Sequence, residues 1–123
     1  MSGIWVNLQP GSTNRIFGDA WYLAEGEPYL CEQLGGIDFF LHPACFTQAH
    51  LELFEKILTS IKQSLVPDQR IVEFYAGVGV IGLNCAAQSK QVICNEINPH
   101  AESCFHLSRL KLPLTTQHKI TFV

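Results

Sequence analysis

Charge is scarce in this chain, and positive charge is scarcer than negative. Charged residues make up 15% of the sequence, 8 basic against 11 acidic, for a net charge of −3. A whole-domain electrostatic grip on nucleic acid is thereby excluded, and any contact with RNA or DNA has to be local or lie elsewhere. Cysteine pairing is missing too. Cys31, Cys45, Cys85, Cys94 and Cys104 are odd in number and contain no C-x-x-C pair, which fits neither a disulfide framework nor a zinc ribbon and implies reduced thiols in a cytoplasmic protein. No apolar run is long enough for a membrane: Ile71 to Ala87, the most apolar stretch, is broken by Glu73 and by glycines, and Met1-Ser2-Gly3-Ile4-Trp5 lacks the basic start and long apolar core of a signal peptide. A metal set is lacking as well. His100 and Cys104 are spaced i,i+4 with His106 behind them, but no third and fourth ligand accompany them, so they read as helix surface and no metal is expected.

What the chain does have is apolar bulk. Hydrophobic residues form 47% of its 123 positions, enough to build a core without staples. Either that core is generous or some apolar surface waits for a partner.

Residues 1–45 alternate in short β-branched and aromatic runs broken at Pro10-Gly11-Ser12, Gly18-Asp19, Gly26 and Gly35-Gly36, which predicts an antiparallel meander. From Thr47 the period changes. Leu51, Phe54, Ile57, Leu58, Ile61 and Leu65 recur at helical spacing, with Glu52 and Lys56 paired on the opposite face, predicting an amphipathic helix that ends near Pro67-Asp68. Beyond it the order is strand (70–75), helix to about Gln88, strand (91–95), helix from Pro99 to about Leu112, and a strand from Ile120. Strands alternating with helices imply a parallel sheet built by right-handed crossovers, an α/β fold.

Gly77-Val78-Gly79-Val80-Ile81-Gly82 follows the first of these strands. A strand turning sharply into a helix exposes backbone N–H groups, and glycines let a ligand approach the main chain closely, so a nucleotide-type cofactor is the natural occupant; packing alone is the alternative. Glu96 ends the second strand, where an acid can accept from ribose hydroxyls. Glu73, four residues before Gly77, would be awkward beside a pyrophosphate but tolerable beside the ammonium and sulfonium of S-adenosylmethionine, which tips the balance towards that cofactor. The alternative for Glu73 is an acceptor for nearby loop N–H groups.

Asn14-Arg15-Ile16-Phe17-Gly18, Gly36-Ile37-Asp38-Phe39, His42 to His50, Val72 to Leu83 and Asn95-Glu96-Ile97-Asn98-Pro99-His100-Ala101 together resemble, in order, successive motifs of the RNA 5-methyluridine (uracil-5-) methyltransferases, class I S-adenosylmethionine enzymes acting on rRNA or tRNA. The resemblance implies that Gln48, Tyr75, Gly77, Gly79, Val80 and Glu96 bind S-adenosylmethionine, Val80 through its backbone. It also implies the fold: residues 1–46 as the β meander that ends a central domain, 47–66 as a linking helix, and 67–123 as the N-terminal half of a Rossmann-like cofactor domain, with its sheet in the order 3-2-1. His50, Ala76 and Leu112-Pro113 depart from the family pattern. The Asp-Pro-Pro-Arg segment, the cysteine nucleophile and the glutamate base of that family lie beyond the point this sequence reaches, and none of the five cysteines stands at a matching position. A truncated chain that is inactive alone is therefore expected, without catalytic residues of its own and with little or no RNA binding. Its first parallel strand would be a free edge, covered by the helix from Thr47, by the meander or by a second copy of the chain. A dinucleotide-binding domain of NAD type, and a non-catalytic oligomeric module derived from a methyltransferase, are the competing assignments.

Overall fold

The computed structural model describes residues 3–123; Met1 and Ser2, on which part of the signal-peptide reading falls, lie outside the described residues. The chain opens with β1 (Ile4–Leu8) antiparallel to β2 (Ala20–Glu25), Val6 opposite Tyr22. The loop between them hangs on Asn7. Its Nδ2 donates to the carbonyls of Gly18 and Ala20 at 2.9 and 3.0 Å, and its Oδ1 accepts from Gly18 N–H at 2.8 Å. β3 (Leu30–Leu34) and β4 (Ile37–Leu41) form a hairpin whose two turn residues, Gly35 and Gly36, both have positive φ, 61° and 84°, the backbone of a type I′ turn.

The antiparallel strands therefore pair two by two, as separate β1-β2 and β3-β4 sheets, where the sequence reads as one continuous meander. The break falls at Gly26 (φ 85°) and Pro28: the glycine turns the chain out of β2's line, and proline has no N–H to offer a ladder.

Helix α1 (Leu51–Ser64) begins four residues later than its periodicity suggests. His50 caps it, Nδ1 accepting from Leu53 N–H at 3.1 Å, so Thr47, Gln48 and Ala49 stay in the preceding loop. Phe54 and Leu58 are its buried residues. Then come β5 (Arg70–Phe74), α2 (Val80–Cys85) with a 3-10 turn over 86–88, β6 (Gln91–Asn95), α3 (Pro99–Arg109), the one-turn α4 (Leu114–Gln117) and β7 (Ile120–Phe122). Asn98 caps α3 and Pro99 takes its first position, where the missing N–H costs nothing. β5, β6 and β7 form a parallel sheet in that order, with Val72 opposite Ile93 and Ile93 opposite Thr121.

A single core joins the two halves. Phe39 of β4, Phe105 and Cys104 of α3, Leu58 of α1, Leu83 of α2 and Val92 of β6 are all essentially inaccessible to solvent, and each large apolar side chain buried there stabilises the fold by roughly 1.5–3 kcal/mol. α3 packs on β4, where Ser108 Oγ accepts from Phe40 N–H at 3.0 Å. Cys31 is exposed, whereas Cys45, Cys85, Cys94 and Cys104 are buried. Among the described residues β5 pairs with β6 alone, and Arg70, Val72 and Phe74 are exposed. α1 turns Phe54 and Leu58 into the core beside α2, and the antiparallel strands pair with one another, so neither pairs with this edge as two of the three expected covers would.

Candidate functional site

The turn after β5 is built from left-handed backbone. Tyr75, Gly77 and Gly79 have φ of 56°, 57° and 79°. Ala76 N–H continues the ladder to Asn95 O at 3.0 Å, and Gly79 N–H closes the turn on Ala76 O at 2.9 Å. The two glycines differ in surroundings. A Cβ on Gly79 would meet the Phe105 ring at 2.5 Å, whereas one on Gly77 would meet nothing within 4 Å.

Glu96, just past β6, reaches back to the turn. Its Oε2 accepts from Gly77 N–H at 2.9 Å, and its Oε1 accepts from Ile97 and Asn98 N–H at 2.8 and 2.9 Å. A carboxylate has about four acceptor sites, so one is left for a ligand hydroxyl. Glu73 lies deeper. Its Oε2 accepts from Gly82 N–H at 2.8 Å and from the Cys94 thiol at 3.6 Å, an acceptor role like the one weighed as its alternative, but toward the first turn of α2 and not the loop. Burial raises its pKa above the ordinary carboxylate value, against the lowering effect of those two bonds.

Between this turn, the loop ahead of α1 and the start of α3 lies a cavity of about 420 Å³. Gln48, Tyr75, Gly77, Val80 and Glu96 line it, and so do Glu73, Cys45 and Asn98. Gly79 does not; it is buried at the cap of α2, against Phe105. Leu34, Leu41, Phe54 and Ile81 give the cavity an apolar floor. Two carboxylates line it and no lysine, arginine or histidine does. Cys45 is its one cysteine, and hydrogen bonding to Cys104 together with burial pushes that thiol's pKa up.

Asn98 is absent from the residues expected at the site, although the signal was present: an asparagine directly before a proline at N1 is a capping residue. It caps α3 by accepting from His100 N–H at 3.0 Å and donates to Ala44 O at 2.9 Å, fixing the cavity wall. His100 stacks on His42 and Cys104 is buried in the core, so that i,i+4 pair does not present two ligands outward.

No protein-family profile matches the chain. Among individual proteins, an uncharacterized RNA methyltransferase of Protochlamydia amoebophila is 44% identical over 119 residues, 97% of this chain and 31% of that protein. The 23S rRNA (uracil(747)-C(5))-methyltransferase of Shewanella halifaxensis is 30% identical over 113 residues, 89% of this chain and 30% of that protein. The chain thus spans less than a third of the length of these curated relatives. In fold it is similar to the Pyrococcus abyssi tRNA (uracil-54, C5)-methyltransferase, solved with S-adenosyl-L-homocysteine, with a TM-score of 0.73 at 18% identity over 98% of this chain and 29% of that one. It is also similar to the tRNA m1G37 methyltransferase of M. jannaschii, with a TM-score of 0.66 at 19% identity over 84% of this chain and 31% of that one. Over nearly all of its length, the chain is therefore homologous to a segment of the RNA methyltransferases, the uracil-C5 enzymes among them, and folds as the matching part of a class I methyltransferase.

Proposed function

We propose that this chain is the cofactor-holding part of an S-adenosylmethionine-dependent RNA (uracil-5-)methyltransferase acting on rRNA or tRNA. The observation that carries the proposal is the cavity at the glycine turn, lined by Glu73 and Glu96 and by no cationic side chain. Such a lining repels a pyrophosphate and suits a ligand bearing ammonium and sulfonium charges, which argues against a dinucleotide of NAD type. Its volume, about 420 Å³, suits a nucleoside with a short tail, and the open space beside Gly77 admits a ligand against the main chain.

Bound there, S-adenosylmethionine would supply an activated methyl group. The chain's own residues bind and orient it: Glu96 offers its remaining acceptor site to a ribose hydroxyl, the apolar floor takes the adenine, and Tyr75, Gln48 and the backbone of Val80 close the walls. Residues 1–46 would then be the end of a preceding domain, 47–66 a linker and 67–123 the first half of the cofactor domain. Catalysis by this chain alone is not part of the proposal, because none of its five cysteines stands where the resemblance expects the nucleophile. Unpaired thiols support a cytoplasmic setting. The free edge of β5 supports self-association of the chain through that strand.

Calorimetric titration tests the cofactor assignment. S-adenosylhomocysteine is expected to bind, NAD to bind more weakly or not at all, and Glu96→Ala to lose about tenfold in affinity, the equivalent of one charge-assisted hydrogen bond. Tighter binding of NAD than of S-adenosylhomocysteine would overturn it.

A further inference from the structure

A second cavity, also about 420 Å³, lies beside the first. Asn98 lines both, and its bond to Ala44 O crosses the wall between them. The second cavity is walled by rings. Phe17 and Trp21 stand with centroids 5.0 Å apart, and His100 lies flat on the buried His42 at 4.4 Å, 9° from parallel. Trp21 also sets its edge to His42, 5.8 Å away, so a buried imidazole fixes both Trp21 and His100 in place. Phe17 is about half exposed. Arg15 and Asp19 also line the cavity, joined to each other in an exposed pair at 2.6 Å. A pair so exposed adds little to stability, and both groups can exchange it for a ligand's polar edges.

Aromatic faces suit a planar ring, a guanidinium suits a phosphate, and a carboxylate suits an exocyclic amine. An unstacked adenosine, guanosine or cytidine nucleotide presents all three. We propose that this cavity takes one unpaired base of the substrate RNA, flanking the nucleotide to be methylated, with its ring against Phe17 and Trp21 and its phosphate at Arg15. The proposal rests on the RNA methyltransferase assignment above and adds to it a binding site for a second nucleotide. Stacking does not depend on net charge, so a chain of net charge −3 can still hold RNA here, through a local contact.

A Trp5→Phe chain keeps Trp21 as its one tryptophan. Titrated with short single-stranded RNA, it is expected to show saturable quenching. In that background Phe17→Ala weakens binding by roughly five- to a hundredfold, and Arg15→Ala weakens it while flattening its salt dependence. S-adenosylhomocysteine affinity, read by calorimetry in the same variants, stays unchanged. Absence of quenching, wild-type RNA affinity in Phe17→Ala, or equal affinity for a free nucleoside monophosphate overturns the proposal. The two assignments fail separately: S-adenosylhomocysteine binding without RNA binding removes only the second-nucleotide site, and the reverse removes only the cofactor site. Should Phe17→Ala lose its far-ultraviolet circular dichroism, photocrosslinking of 5-iodocytidine RNA to the wild-type chain decides. Adducts on the peptide containing Phe17 and Trp21 uphold the site, and adducts found only elsewhere overturn it.

Discussion

Gly77 and Gly79 stand two apart in one turn, both in left-handed backbone, yet a methyl group at each would have a different effect. At Gly79 an added Cβ meets the Phe105 ring at 2.5 Å, so Gly79→Ala combines the cost of a left-handed alanine with overpacking of the core. The sum is about 2–5 kcal/mol, read as a lower urea midpoint at unchanged slope. At Gly77 the space is open, and Gly77→Ala costs only about 1–2 kcal/mol. Because that space adjoins the cavity, its larger effect is expected on S-adenosylhomocysteine affinity. Equal stability losses and equal affinity losses in the two variants would contradict this division of roles. Glu96 and Glu73 differ in a comparable way: one ties the turn to the end of β6, and the other holds the first turn of α2 to β5.

Among the secondary-structure elements, the junction between β4 and α3 carries a histidine whose titration opposes the fold in acid. His42 follows β4 directly and stacks on His100 in the first turn of α3. Burial, with the nearby His100 second, lowers the pKa of His42 below its ordinary value. The unfolded chain then takes up the proton more readily than the folded one, so stability is full above about pH 6.5 and declines as pH falls from there towards the lowered value. Glu73, its pKa raised by burial, acts in the opposite sense, favouring the fold on acidification down to the ordinary carboxylate range. The comparison that isolates the histidine is the wild type against His42→Phe. The wild type is expected to lose more melting temperature between pH 7.5 and 5.5, and parallel curves would contradict it. The elements themselves were largely legible in the sequence. Alternation and the flanking turns placed β5, β6 and β7, paired glycines placed the hairpin turn, and the glycine turn with Glu96 at a strand end located the cavity. The start of α1 was misplaced because histidine is an uncommon cap, and α4 went unseen because one turn carries no period. The clash at Gly79 and the ring cluster of Trp5, Trp21, His42 and His100 were not legible, since each depends on contacts between residues far apart in sequence.

At the scale of the whole molecule, the surplus of apolar residues noted in the composition is divided between the core and the surface. Part fills the core shared by the antiparallel strands, the helices and the sheet. Part lies on β5, where Val72 is 52% and Phe74 69% exposed, on a strand with one side unpaired. An edge of this kind recruits another strand. In sedimentation the chain is expected to associate as concentration rises, and Phe74→Lys to shift it towards monomer; a wild type that stays monomeric throughout rules out self-association by this edge. The thiols divide in another way, one outside and four within. Alkylation under native conditions should therefore be staged, with Cys31 consumed at once, Cys45 reached through the cavity it lines, and Cys85, Cys94 and Cys104 only as fast as the fold opens around them. The chain thus carries its own clock for unfolding, three slow reporters and one fast internal standard, with no engineered label required.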